Sequence, residues 1–134
     1  MGEILEARYL TVDLIVEAAF DLSSITEALK DRVFILYEHS SSEASSFGIE
    51  SNSGDSESPE EDIVELLDVL YELPENLKNV LRLCKKKVFD IGFECGSLQD
   101  PIDAPLSAET IHRISTLGGQ INIRLYPWVE TPRR

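Results

Sequence analysis

The densest run of chemically capable side chains is Asp55, Glu57, Glu60, Glu61 and Asp62, five carboxylates within eight residues. Carboxylates this close could hold a divalent cation or meet a basic partner. A calcium loop needs alternating oxygen ligands, a turn glycine at its sixth position and a glutamate at its twelfth. Asp55-Ser56-Glu57-Ser58 begins that alternation, but Pro59 and the missing glycine break it. Two readings remain: a helix start, where the dipole favours acids, and a contact surface for a basic protein.

The other reactive groups form no constellation. His39, His112, Cys84 and Cys95 lack zinc spacing, and nothing pairs a cysteine with a histidine as nucleophile and base. The chain is expected to be non-enzymatic, with no metal and no cofactor. Both cysteines read as free buried thiols in a reducing compartment; a Cys84–Cys95 bridge stays open. Gly118-Gly119 follows a helical stretch, so it reads as a helix stop and not a phosphate loop. Lys78, Arg82, Lys85, Lys86 and Lys87 lack interleaved aromatics and read as a solvated helix face rather than a nucleic-acid site. Tyr126 and Trp128 read as edge packing, with an interface role as the alternative.

Charge distribution narrows the partners. The 134 residues carry a net charge of −13. Residues 1–77 hold 19 acids against three bases, and residues 78–134 hold six acids against nine bases. The acidic half repels nucleic acid and anionic membranes and speeds encounter with a basic protein. The longest apolar run, Val33–Tyr37, is far short of a membrane span. No signal sequence is evident, and a cytoplasmic location is expected.

The elements that must position these groups follow from periodicity. Leu10, Val12, Leu14 and Val16 alternate with polar residues as a strand does. Ser24 and Glu27 have capping-box spacing ahead of a short helix to about Asp31. Val33–Tyr37 is apolar on both sides, as a central strand would be. The stretch 40–58 holds nine serines and reads as a mobile loop containing a weak strand near 44–51. Ser58-Pro59-Glu60-Glu61 is a complete helix start, followed by Ile63, Leu66, Leu67 and Leu70 on one side. Pro74 divides that helix from a second one ending in the lysines. Phe89, Ile91, Phe93 and Cys95 make a strand. Ser107 caps a helix with Ile111, Ile114 and Leu117, and Ile121, Ile123 and Leu125 alternate in a last strand.

One α+β domain over 1–134 is therefore expected, in the order β-α-β-β-α-α-β-α-β. It contains the ferredoxin-like split βαβ pattern, with a largely antiparallel sheet of about five strands and helices on one face. Leu14 and Ile123 are both expected in the core.

The C-terminal run Leu106-Ser107-Ala108-Glu109-Thr110-Ile111, the break Leu117-Gly118-Gly119 and the strand Ile121–Tyr126 resemble a bacterial family known as domain of unknown function 4279. The helix pair interrupted by Pro74 also fits. The likeness spans about Leu10 to Pro127. It departs at 40–58, where such proteins tend to carry a tryptophan-containing strand. The resemblance implies no catalytic residues. By analogy it implies an immunity partner of a secreted toxin.

The expected function is a protein-binding module, most concretely an immunity protein neutralising a basic toxin. The carboxylates expected to meet that toxin are Glu43, Glu50, Asp55, Glu57, Glu60 and Glu61. The alternative is a small-ligand-binding or regulatory domain acting as a dimer.

Overall fold

The computed structural model describes residues 6–52, 56–97 and 101–127. Its elements are β1 (Arg8–Ala18), α1 (Ser23–Leu29), β2 (Val33–His39), β3 (Ser45–Ser51), α2 (Pro59–Tyr71), α3 (Glu75–Arg82), β4 (Lys86–Glu94), α4 (Ala108–Leu117) and β5 (Gln120–Tyr126). The five strands form one sheet in the order β2-β3-β1-β4-β5. The β2–β3, β3–β1 and β1–β4 pairs are antiparallel, and β4–β5 is parallel. The fold is α+β, and the sheet is mixed rather than antiparallel throughout. The parallel pair has a topological cause: a helix, not a hairpin, connects β4 to β5, and such a crossover returns the chain in the same direction.

The core follows the alternation in the sequence. Val12, Leu14, Val16 and Ala18 of β1 are buried with Phe47 and Ile49 of β3 and Phe89, Ile91 and Phe93 of β4. The apolar stripe of α2 (Ile63, Leu66, Leu67, Leu70) meets them, with α2 packed on β1 and β3. Each such side chain contributes roughly 1.5–3 kcal/mol by leaving water. The start of α2 is as its sequence dictates: Ser58 Oγ accepts the Glu61 N–H at 3.3 Å, and proline occupies the first turn. Ser107 Oγ likewise accepts the Thr110 N–H at 3.1 Å to start α4. That helix ends at Gly118, whose φ of 77° is a left-handed cap open to glycine at little cost.

Several expectations are corrected. Strand β2 lies at the sheet edge, and Phe34, Leu36 and Tyr37 are exposed; their apolar run reflects no double covering. A bulge between Ile35 and Tyr37 turns the Tyr37 ring over Gly48, where any side chain would collide with it. The Ser24–Glu27 capping box is absent, because α1 already begins at Ser23 with Leu22 as its cap residue. Leu10 falls at a second bulge and is exposed. Ile123 is 60% exposed: it shares the helix side of the sheet with Ile91, but α4 packs on α2 and, among the described residues, leaves this side of β5 largely open.

The basic cluster also divides differently. Helix α3 ends at Arg82, and Lys86 and Lys87 open β4. Lys87 is only 4% exposed. Its ammonium donates to the carbonyls of Leu81, Arg82 and Cys84 at 3.1–3.2 Å, a cation at a helix C-terminus where the dipole favours it. Cys84 and Cys95 are free thiols, and burial raises Cys84 above the ordinary thiol value. The serine-rich stretch yields β3, with Ser41 Oγ accepting the Ala44 N–H at 3.0 Å to shape the turn before it. Asp55 and Trp128 lie outside the described residues.

Candidate functional site

Three strands bring a row of carboxylates together on the sheet face opposite the core. Glu50, Asp13 and Asp90 stand side by side in register on β3, β1 and β4. Asp90 is satisfied by β5: it accepts from Asn122 Nδ2 at 2.6 Å and Arg124 Nε at 3.1 Å. Asp13 Oδ1 is buried without a hydrogen-bond partner among the described residues. Burial, then the hydrogen bond and charge of Glu50, then the charge of Asp90 push Asp13 up to about 7, against the pull of Arg124. Asp13 can therefore hold its proton near neutrality. A cavity of about 160 Å³ between this row and Tyr126 is too small for a sizeable ligand.

A second group of acids lines a groove of about 720 Å³ along α2. Glu61, Glu65, Asp68 and Glu72 recur at steps of four, three and four residues, so they form one stripe on the helix surface. Asp31 and Arg32, just beyond α1, form the other wall, with Asn52 at the end of β3. Among the described residues, six carboxylates thus line the groove beside a single guanidinium, that of Arg32. The compensation is partial: Arg32 pairs with Glu72, Arg113 with Asp68 at 2.8 Å, and Ser51 donates to Glu65. The two ion pairs are exposed or half-buried, so they contribute little and open readily, whereas Ser51 is buried.

The residues expected from sequence divide among these places. Glu60 and Glu61 line the groove, and the exposed Glu57 stands beside it, its N–H donating to Glu61 Oε2 at 3.2 Å. Glu60 has an internal task as well. Its carboxylate accepts from the Ser107 N–H and hydroxyl, both at 3.0 Å, and from the Thr110 hydroxyl at 2.8 Å, clasping the start of α4. Burial works against its ionisation, but these hydrogen bonds outweigh it and hold the carboxyl below its usual value. Glu50 belongs to the row on the far side of the sheet. Glu43 is exposed on the β2–β3 turn and lines a separate cavity with Glu17 and Lys85.

Sequence reasoning missed Asp31, Glu65, Asp68 and Glu72. The signal was available for the last three, which are the polar counterpart of the Ile63–Leu70 stripe. Asp62 looked like part of the exposed cluster but is buried. It accepts from the Tyr9 and Ser56 hydroxyls, and burial followed by that hydrogen bond raises the Tyr9 phenol above its ordinary value.

Among the described residues, no group of three or more histidines, cysteines and carboxylates is arranged to hold a metal ion, and no helix is long and apolar enough to cross a membrane. Comparison of the chain with protein-family models, with curated proteins and with solved structures finds no match.

Proposed function

We propose that this is a non-enzymatic protein-binding module that captures a basic partner in the α2 groove, most concretely an intracellular immunity protein that neutralises a basic toxin by direct binding. The observation that carries the reading is the set of six carboxylates gathered in one open groove with a single guanidinium among the described lining residues. A toxin acting on nucleic acid needs a basic surface, and an acidic groove can occupy that surface in place of phosphate. The resemblance of the Leu106–Tyr126 run to the bacterial family named above supports the same reading. The strand order β2-β3-β1-β4, antiparallel throughout those four strands, supports a ferredoxin-like split βαβ core extended by α4 and β5.

The test is binding to the C-terminal domain of the protein encoded by the adjacent upstream gene, with association rates measured over a salt series. Steered association slows steeply as salt rises. Replacing Glu61, Glu65 and Glu72 with lysine should slow it further, with thermal melts correcting for the helix-start, Ser51 and Arg32 contacts that the variant loses. Salt-independent association, or an unchanged rate in the triple variant, would move the interface away from α2.

A further inference from the structure

The other flank of α2 has the opposite character. Helices α2, α3 and α4 enclose a cleft of about 310 Å³. Its floor is apolar: Leu67 and Leu70 from α2, Leu81 from α3 and Leu117 from α4. Among the described residues, its walls hold Lys78, Arg82, Arg113 and His112 and no carboxylate, in a chain of net charge −13. We propose that this cleft binds a small organic anion with an apolar body, a medium-chain carboxylate being the simplest case.

The chemistry follows from the lining. The volume lies at the lower end of small-molecule sites, which are mostly apolar with a few convergent polar groups. An acyl chain fits the leucine floor, and its head group meets the cations at the mouth. Lys78 is already positioned: its ammonium lies 4.6 Å from the Tyr71 ring centroid and donates to the Tyr71 carbonyl at 3.1 Å. Glu75 reaches Lys78 at 3.2 Å and Arg82 at 3.8 Å, but it stands outside the lining and is largely exposed. An entering carboxylate can share those cations, because exposed pairs of this kind contribute little. The negative charge of the whole chain does not veto an anion here, since screening leaves groups within about 8–10 Å to decide.

The test uses decanoate below its micelle concentration, with decyltrimethylammonium as the probe of equal body and opposite charge. Amide shifts in the full chain should cluster at Leu67, Leu70, Leu81 and Thr116 with decanoate only. Thr116→Trp, at an exposed position on the wall, should block the cleft and abolish those shifts. The double change Arg82→Glu and His112→Glu, both at exposed sites, should weaken decanoate at least tenfold with the melting temperature unchanged. The proposal is overturned if decanoate does not bind, if the cationic probe binds equally well, if the shifts centre on Ile121, Ile123 and Leu125, or if neither variant matters. Co-sedimentation with phosphatidylglycerol vesicles would also overturn it, by making the cleft a membrane-docking surface.

Discussion

The two flanks of α2 differ in charge, depth and covering, yet they share one helix. On one flank, Glu61, Glu65, Asp68 and Glu72 face Asp31 and Arg32 across a wide groove. On the other, Leu67, Leu70 and Tyr71 face α3 and α4 across a small cleft with basic walls. The Arg113–Asp68 pair, 2.8 Å apart, stands on the boundary between them. The difference shows that net charge describes neither surface. A chain of −13 keeps a basic patch because its C-terminal half supplies α3 and α4, while its acids concentrate in the first 77 residues.

The strongest way to break the comparison is to remove the shared support. Leu66, fully buried on the inner side of α2, should cost about 2–5 kcal/mol when changed to alanine, and urea melts should show both flanks lost together. Retention of either would mean that the flanks do not depend on one helix.

Lys87→Met should act on one flank only. It takes the ammonium from three carbonyls at the end of α3, of which Leu81 keeps the Cys84 N–H, at a cost of about 1–3 kcal/mol. Amide exchange should quicken in α3 and stay unchanged in the first turns of α2. Equal quickening in both would show the flanks to be coupled.

Asp13→Asn probes a region that belongs to neither flank. The Asp13 carboxyl rises from 3.8 to about 7 on folding, so the protonated form is favoured in the folded chain. Its contribution is fully present below pH 3.8 and is lost as pH rises through about 7. The asparagine variant should therefore be the more stable one at pH 8, by roughly 1 kcal/mol once solvent screening is allowed for, and should gain nothing at pH 4. Melts across that range check it; a gain independent of pH would assign the effect to packing.

Ile123→Ala should cost less than about 1 kcal/mol, since most of the side chain is already in water, and denaturant melts would reveal any larger loss. The smallest expected effect is that of Asp68→Asn. It frees Arg113 from the boundary pair at a cost under about 1 kcal/mol and should tighten decanoate two- to threefold in the same titration. Weaker binding would mean that Asp68 positions Arg113 for the cleft rather than drawing it away.

The sequence disclosed what depends on neighbours along the chain. The caps at Ser58 and Ser107, the α2 stripe and the alternation of β1 and β4 are local patterns with local causes, and all recur in the structure. What it hid depends on distant partners. Nothing near Val33–Tyr37 announces an edge strand, because lateral order is set by β3 and β1. Ile123 alternates correctly and still remains exposed, because α4 settles on α2. Lys87 looks like its neighbours until the carbonyls of α3 are seen above it. Of the candidate site, Glu60 and Glu61 were legible as a helix start, but the groove they line is completed by Asp31 and Asn52 from other elements.

Lys87 also gives the molecule an internal clock. Lys85 and Lys86 are exposed beside it, and an amine-acylating reagent meets them at once. The Lys87 amine becomes reachable only when the end of α3 lifts from the sheet. Its labelling rate relative to Lys85 and Lys86 therefore reads the free energy of that local opening. Three adjacent residues of one type thus separate surface chemistry from breathing of the fold within a single mass spectrum.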